Sequence, residues 1–561
     1  MKTALSGLLA ASAVLLFLGL GANTIWDANE AFYVDTPRHM LESGDYINPE
    51  FNGAPRLNKP VLSYWVVAGF YHLFGVSVTV ERVAIAIGAL GIVLAAFVFG
   101  RALHSPTVGL WAALIVLTAP RFVMFARRIF IDIWVTMFMT LALAAFVMAL
   151  RRGTRERPFA AQWLIAMYVA IGCGVLTKGP VALVFPAATI GAWLLIERRL
   201  SDIRHLWIVT GALIVTAIVA PWWVALYAQH GWGPLEAFWI GENLGRYTDS
   251  MQPGERDVFF YVPVVLGDLF PWTVPVMAGL VAAGASLWQR VRGTAARDAV
   301  STSVATLLCL WVGWHVGVFS LSETKQDLYV FPIVPALAAL AAWRLQAAWE
   351  TRARWLRSGL LVTSGLLLLV GVGAVLLFGA FARIHQIAGA NVLGALLVGG
   401  GLLVGGLAAM QRVIPATLTL AATMVAANYT FALVSLPAVE AFKPVLPMVK
   451  VIEARTTPGS PTPVVAHYRT VLPSMAHYLG RPIVDVFDMP TLLARAREAE
   501  VFYVLLRPDE FAEFQMRANA ERMPVCRVST HTLFEAKLRL VLEGKPWPEV
   551  YLAGANGACR P

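Results

Sequence analysis

Several short polar stretches, set between long apolar runs, combine acidic, basic and aromatic side chains. The first extends from Trp26 to Pro60 and holds many acids, with the cations Arg56 and Lys59 near its end. A carboxylate can take the proton of an attacking hydroxyl group, and a fixed cation can stabilise negative charge that develops on a leaving group. A solvated loop that binds lipid headgroups would have the same composition, so both interpretations stay open.

Two other sites of this kind lie at the ends of apolar segments. Asp132 follows Arg128 by four residues at the mouth of an apolar segment, where a carboxylate is costly unless it is paired or hydrated. An ion pair with Arg128 is the simple structural explanation, and an acid that faces the same cavity as the first loop is the functional one. Lys178, within 177–180, either extends to the membrane interface or meets a lipid phosphate.

Two further stretches carry cations among aromatic residues and prolines. The segment 238–247 includes Arg246, and the segment 319–335 includes Lys325 and Tyr329. Each of these cations alone is ambiguous, because a single interfacial cation can simply contact lipid headgroups.

The elements that must position these residues are membrane helices. Of the 561 residues 58% are hydrophobic and 14% charged, whereas soluble proteins average about 25% charged; the mean hydropathy is +0.67. Apolar runs such as 83–99, 136–150 and 358–378 approach the length of about 20 residues that a spanning helix needs, and we expect about thirteen spans. The run 5–20 resembles a signal peptide, but no clear small-residue cleavage site follows, which favours a retained first helix.

The basic residues predict the topology. Clusters at 151–157, 198–204, 290–297 and 344–357 fall between apolar segments, and the positive-inside rule places them in the cytoplasm. The net charge of +10 therefore does not indicate a nucleic-acid partner. Outer loops 26–79 and 227–257 and the C-terminus are then expected outside. The four cations at positions 59, 178, 246 and 325 share that side, which favours a common anionic ligand.

The composition changes near Pro444, so we divide the chain into a transmembrane catalytic domain, 1–440, and a small α/β domain, 441–561. Apolar runs 463–468, 482–487 and 500–506 predict strands, and the segments between and after them predict helices over 472–479, 489–499 and 509–517. Cys526 and Cys559 could form a disulfide if this tail faces an oxidising compartment.

The chain resembles the C-type membrane glycosyltransferases, specifically the bacterial aminoarabinose (lipid A) transferases and their protein mannosyltransferase-like relatives. The resemblance covers most of the membrane part and extends into the tail. It is carried by Tyr33, Met40-Leu41, Ser43-Gly44-Asp45, Lys59-Pro60, Tyr64-Trp65, Leu73-Phe74-Gly75, Thr177-Lys178-Gly179-Pro180, Pro221-Trp222, Arg246, Pro271-Trp272, Ser322, Lys325, Tyr329, Pro332 and Pro335.

One departure from the family pattern concerns the first acid. The family usually has Asp-Glu where this chain has Asn29-Glu30, with Asp27 two residues earlier. Either Glu30 or Asp27 takes over its role, or the acceptor needs less help from a base. An acceptor that is already a phosphate would need no deprotonation, whereas a hydroxyl group would.

The resemblance implies a fold and an activity. The fold is that of a polytopic α-helical membrane protein in the bacterial inner membrane, with its small α/β domain in the periplasm. The activity is transfer of a sugar, 4-amino-4-deoxy-L-arabinose, from undecaprenyl phosphate to lipid A; a protein or another glycan is the alternative acceptor.

The chemistry of that transfer assigns roles to the polar residues. Cations bind the departing phosphate, and acids deprotonate the acceptor. A divalent cation is possible given the number of acids, although no His/Cys cluster has ligand spacing. The phosphate ligands are expected to be Lys59, Arg246 and Lys325, supported by Arg56, Lys178 and Tyr329, and the candidate acids are Glu30, Asp27 and Asp132.

Two other classes of protein compete with this interpretation. A secondary transporter also has many spans and charged residues, but it places them near the bilayer midplane, not in long outer loops. A non-catalytic anchor for the tail would have little use for acids and cations in several separate loops.

Overall fold

The computed structural model describes residues 2–27, 29–154, 156–245, 256–294, 300–380, 387–456, 459, 461–533 and 547–559. Its α-helices up to residue 455 are α1 (Lys2–Leu15), α2 (Asn29–Ser43), α3 (Leu62–Phe74), α4 (Val78–Leu103), α5 (Pro106–Thr118), α6 (Pro120–Ala126), α7 (Ile131–Arg151), α8 (Ala161–Lys178), α9 (Val181–Ile196), α10 (Ile208–His230), α11 (Gly233–Glu236), α12 (Tyr261–Asp268), α13 (Thr273–Arg292), α14 (Val300–Ser320), α15 (Val334–Thr351), α16 (Arg354–Ala380), α17 (Ala390–Ala409), α18 (Val413–Thr430), α19 (Leu436–Ala438) and α20 (Val445–Arg455). Ala237–Gly245 and Phe431–Ser435 are π-helical, and Leu20–Ala22, Leu200–His205, Asp327–Ile333 and Val439–Phe442 form 3₁₀ helices.

The protein is a multi-pass membrane protein. Among the described residues, ten helices are long and apolar enough to cross a membrane, and twelve if each of two bent helix pairs counts as one span. The bent pairs are α5 with α6, at 73°, and α12 with α13, at 114°. Pro120 and Pro271 lie at these breaks, where the missing amide hydrogen interrupts helical hydrogen bonding. The expected number of about thirteen is reached if the 16-residue apolar helix α9 also spans.

Small residues allow several of these helices to pack closely. A Cβ atom at Gly100 of α4 would lie 2.8 Å from the carbonyl oxygen of Val108 in α5. A Cβ atom at Gly371 of α16 would lie 2.9 Å from the carbonyl oxygen of Gly394 in α17. Such close backbone contact is the usual source of helix association in a bilayer, where apolar burial contributes little.

The tail is a mixed five-stranded sheet with helices. Its strands are β3 (Val464–Tyr468), β4 (Val484–Val486), β5 (Val501–Leu506), β6 (Val525–Thr532) and β7 (Glu549–Asn556), in the order β4-β3-β5-β7-β6; a two-stranded hairpin, β1 (Glu50–Phe51) and β2 (Ala54–Pro55), precedes them in the first loop. The helices α21 (Ser474–Leu479), α22 (Met489–Glu498) and α23 (Pro508–Ala520) lie where helices were expected. Strands β3, β4 and β5 are parallel, and β7 pairs antiparallel with β5 and β6. Cys526 and Cys559 form a disulfide.

The tail contacts the first loop through several hydrogen bonds. The amide of Ser474 donates to Asp27 over 2.9 Å, and the amide of Ile25 donates to the hydroxyl of Tyr478 over 2.8 Å. The Asn52 side chain bonds both the amide and the carbonyl of Ile483. Residues more than 400 positions apart therefore hold the loop in place.

Candidate active site

A cavity of about 340 Å³ lies where the first loop meets α7, α9, α14 and the segments Ala237–Gly245 and Asp327–Ile333. Its charged and amide side chains are Arg56, Asn58, Lys59, Asp132, Lys178, Glu242, Asn243 and Gln326. The spanning helices contribute mainly apolar and aromatic side chains, among them Val135, Met139, Val181, Phe185 and Phe319. The cavity is therefore amphipathic, because charged side chains from the first loop, the helix ends and the π-helical segment meet apolar side chains of the helices.

Lys59 forms an ion pair across the cavity. Its Nζ donates to Oε2 of Glu242 over 2.6 Å, and both side chains are largely but not fully buried. Lys59 precedes Pro60 and α3, whereas Glu242 lies in the π-helical segment 183 residues away. Sequence reasoning assigned Glu242 no role, because only the fold brings it to Lys59.

Lys178 and Asp132 form a second ion pair. Lys178 is the last residue of α8 and Asp132 lies in the first turn of α7, so each charge is also favoured by its helix dipole. The chain turns at Gly179 with a φ of +102°, and a Cβ atom there would lie 2.6 Å from the Phe238 ring. The local pairing of Asp132 with Arg128 considered from the sequence is replaced by this long-range one.

Aromatic rings surround the remaining cation and the ion pairs. Arg56 lies over the ring of Phe32, 3.7 Å from its centroid. Burial raises the pKa values of Tyr33 and Tyr64, so both phenols are neutral at physiological pH. The Nζ of Lys178 lies 5.6 Å from the centroid of the Tyr329 ring. With three cations and two carboxylates, the cavity favours an anionic ligand.

Two of the expected phosphate ligands do not line this cavity in the described structure. Lys325 is buried, and its Nζ donates to the carbonyl of Ser322 over 2.6 Å, although Ser322 itself borders the cavity. Arg246 lies outside the described residues, three positions after Asn243. The other four, at positions 59, 56, 178 and 329, all line the cavity.

Comparisons with known proteins agree on one family. The family described as dolichyl-phosphate-mannose-protein mannosyltransferase matches residues 4–230. An undecaprenyl phosphate-alpha-4-amino-4-deoxy-L-arabinose arabinosyl transferase from Pseudomonas fluorescens is 28% identical over 341 residues, covering 60% of this chain and 55% of that protein. The crystal structure of ArnT from Cupriavidus metallidurans bound to undecaprenyl phosphate superposes with a TM-score of 0.77 at 21% identity, over 97% of each chain. The chain is therefore similar in sequence to these sugar transferases, and it shares the fold of ArnT.

The sequence match to these curated relatives is partial. An uncharacterised protein of Aquifex aeolicus is 30% identical over 333 residues, which are 59% of this chain and 61% of that protein. The chain thus spans 55% to 61% of the length of these relatives.

Glu30 lies away from the cavity lining. The Glu30 side chain is fully buried, and its carboxylate accepts hydrogen bonds from the amides of Trp26 and Ile129, over 2.8 and 3.0 Å. Arg82 contacts it at 3.1 Å and Arg128 at 3.6 Å. The carboxylate therefore faces the buried Arg82 and the partly buried Arg128, and it fixes the start of α2 and the segment before α7.

Asp27 likewise has a structural partner, the amide of Ser474 in the tail. Burial raises the pKa of the Asp27 carboxyl, and this effect exceeds the opposing effect of the Ser474 hydrogen bond. Of the three candidate acids, Asp132 alone is among the residues that line the cavity. Within the described ranges no three His, Cys, Asp or Glu side chains gather as a metal site, so we assign the possible divalent cation no ligands.

Proposed function

We propose that this protein transfers a sugar from undecaprenyl phosphate to an acceptor at the outer surface of the bacterial inner membrane. The observation that carries the proposal is the amphipathic cavity, in which cations from the first loop and from the end of α8 face apolar side chains of the helices. A lipid-linked phosphate has the matching chemistry, an anionic head on an apolar chain. The names of the relatives support undecaprenyl phosphate as the carrier and 4-amino-4-deoxy-L-arabinose as the sugar.

The donor phosphate is proposed to bind between Lys59, Lys178 and Arg56. When the bond between the anomeric carbon and the phosphate oxygen breaks, negative charge increases on the departing phosphate. Cations held in place before the reaction stabilise that charge more than they stabilise the bound donor, which lowers the barrier. Tyr329 supports Lys178 through its ring, and Arg246 and Lys325 remain proposed as additional phosphate ligands.

Asp132 is the proposed base. The acceptor attacks the anomeric carbon on the face opposite to the phosphate, and its proton, if it has one to lose, passes to a carboxylate within hydrogen-bond reach. A phosphate that draws Lys178 away from Asp132 leaves this carboxylate free to accept the proton. Glu30 and Asp27, whose oxygens already bond the protein, are proposed to stabilise the fold.

The proposed topology puts the outer loops 26–79 and 227–257 and the domain 441–561 in the periplasm, with the catalytic domain at 1–440. The Cys526–Cys559 disulfide supports an oxidising compartment for the tail. The last apolar helical run ends at Phe442, close to the proposed domain boundary.

Lipid A is the acceptor that we propose from the resemblance of the sequence to the aminoarabinose (lipid A) transferases. The match to the protein mannosyltransferase family favours a protein or another glycan as the second candidate. The similarity of the chain to sugar transferases disfavours a secondary transporter.

The acceptor can be tested by mass spectrometry of lipid A and of the total lipid extract from cells with and without this chain. We expect lipid A to lose an increment of the size of an amino-pentose when the chain is absent. Unchanged lipid A, with a changed glycoprotein or glycan, would identify the second candidate.

A further inference from the structure

His315 borders the cavity and is not among the residues that are proposed to bind the phosphate or to deprotonate the acceptor. It lies on α14, and its side chain is completely buried. One ring face stacks on Phe185 with 4.2 Å between the ring centroids, and the Trp311 ring lies 4.2 Å away at an inclined angle. A polar ring held this firmly among aromatic side chains needs a partner for each of its nitrogens.

The hydrogen bonding of the ring defines what the partner must be. Nδ1 lies 2.8 Å from the backbone carbonyl oxygen of Trp311, and because a carbonyl only accepts, Nδ1 carries the hydrogen. Among the described residues Nε2 has no hydrogen-bond partner, and the ring forms no ion pair. A neutral ring with its hydrogen on Nδ1 leaves Nε2 as an acceptor, so the missing partner must be a donor.

A continuous row of aromatic rings joins His315 to the cations. The centroid of Phe185 lies 5.3 Å from that of Phe319, which lies 4.9 Å from that of Tyr329. Tyr329 in turn lies 5.6 Å from the Nζ of Lys178. A ligand whose phosphate binds at Lys178 therefore has an aromatic surface beside it that ends at a hydrogen-bond acceptor.

We propose that His315 is a specificity-determining residue whose Nε2 accepts a hydrogen bond from a hydroxyl or amino group of the sugar on the donor. The inference rests on the proposed function and adds the recognition of the sugar to it. The phosphate and the polyprenyl chain of the donor offer no such hydrogen, because the phosphate is ionised and the chain is hydrocarbon. The contact distinguishes a carrier that bears a sugar from a bare carrier.

The experiment compares binding of two probes, undecaprenyl phosphate and undecaprenyl phosphate-α-4-amino-4-deoxy-L-arabinose, to the full-length protein. His315→Phe keeps an aromatic ring but removes the acceptor. We expect it to weaken binding of the sugar-bearing probe about tenfold, the value of one hydrogen bond, and to leave binding of the bare probe unchanged. His315→Gln, which restores an acceptor oxygen, is expected to recover part of the difference.

Thr306→Val is the matched control. Thr306 is a fully buried polar residue of the same helix that bonds its own backbone and does not line the cavity. We expect this variant to bind both probes like the wild type.

The outcomes separate the inference from the function on which it rests. An equal loss for both probes in His315→Phe, or no loss for either, would overturn the role of His315. If His315→Phe does not fold, the same comparison is made with His315→Leu, which also lacks an acceptor, and an unchanged ratio of the two affinities overturns the role. A wild type that binds neither probe would instead contradict the proposed function.

Discussion

Lys59 and Lys178 each reach the cavity as one half of an ion pair, with Glu242 and Asp132 as partners. Without these carboxylates the two ammonium groups would repel each other and would be costly beside an apolar wall. In the proposed site, the donor phosphate replaces the carboxylates as the partner of both cations. Under this proposal the acids keep the lysines in place until the donor binds.

Replacing either lysine should remove transition-state stabilisation. We expect Lys59→Ala and Lys178→Ala to lower the transfer rate about a hundredfold or more, because each removes a cation that faces the leaving phosphate. The measurement is the initial rate of transfer from an undecaprenyl phosphate sugar in proteoliposomes. Arg517→Ala is the control, since Arg517 pairs with Glu513 in an exposed position on α23 and its loss should have little effect. Full activity in a Lys59→Ala, Lys178→Ala double variant would contradict the assigned phosphate site.

Asp132→Asn distinguishes the two kinds of acceptor. If the attacking group is a phosphate of lipid A, no proton has to be removed, and we expect the rate to stay within about tenfold of the wild type. If the attacking group is a hydroxyl, we expect Asp132→Asn to lower the transfer rate about a hundredfold or more, which is the usual contribution of a general base. Rates measured with lipid A and with a hydroxyl-bearing acceptor would show which case applies, and a large loss with lipid A would refute the phosphate as nucleophile.

The side on which these residues lie could be predicted from the sequence, but their partners could not. Lys59, Lys178 and Asp132 stand at ends of apolar segments, and the arrangement of basic clusters puts those ends on one face. The pairing of Lys59 with Glu242 depends on how the helices pack, and no local pattern encodes it. For the same reason the sequence did not distinguish Glu30, which is enclosed by Arg82 and Arg128, from an acid that faces a ligand.

At the scale of elements, the buried network around Glu30 joins α2, α4 and the segment before α7. The Glu30 carboxylate accepts hydrogen bonds from two backbone amides and faces two arginines, so its negative charge stabilises this network. We expect Glu30→Gln to lower the free energy of unfolding by about 3 kcal/mol, in the range for breaking a buried ion pair. Thermal unfolding in detergent measures this, and an unchanged melting temperature would show that the network contributes no stability.

Asp27→Asn is the matched variant, for which we expect no loss of stability. The pKa of Asp27 is raised by burial, so above that pKa its charge costs stability. The folded protein binds the proton more tightly than the unfolded chain does, and the wild type loses stability as the pH rises from about 3.8 through the raised pKa. Asp27→Asn should therefore be at least as stable as the wild type at pH 7. At pH 4 any advantage in stability over the wild type should be smaller. A large destabilisation at pH 7 would show that the charge itself is required.

The elements of the tail were predictable to different degrees. The runs that became β3 and β5 are short and apolar because these strands are parallel neighbours inside the sheet and are almost fully buried. Strand β4 lies at one edge of the sheet, and its central residue Asp485 is exposed. Strands β6 and β7 were not predicted. Five of the eight residues of β6 are polar or charged, and β6 pairs antiparallel with β7 at the other edge of the sheet, which gives a weaker signal.

At the scale of the whole molecule, the tail contains an internal disulfide and forms hydrogen bonds with the first loop of the membrane part. The disulfide closes a separation of 33 residues, and such a link stabilises a domain by about 3 to 4 kcal/mol through the entropy of the unfolded chain. We expect Cys526→Ala to lower the unfolding temperature of the tail, measured by limited proteolysis across a temperature range. Cys309→Ala, which removes a free cysteine in α14, is the control. Modification of Cys526 by a thiol reagent in the unreduced, denatured protein would show that the bond does not form.

The contacts between the first loop and the tail also set an order of events during synthesis. Three residues near the start of the chain form hydrogen bonds with residues of the tail: Ile25 with Tyr478, Asp27 with Ser474 and Asn52 with Ile483. These bonds can form only after more than 400 further residues have been synthesised. In the proposed topology the tail residues must also cross the membrane before the loop that carries Lys59 can form these hydrogen bonds. The first outer segment is then among the last to reach its final contacts, and a nascent chain that stops short of the tail lacks the hydrogen bonds that hold this loop.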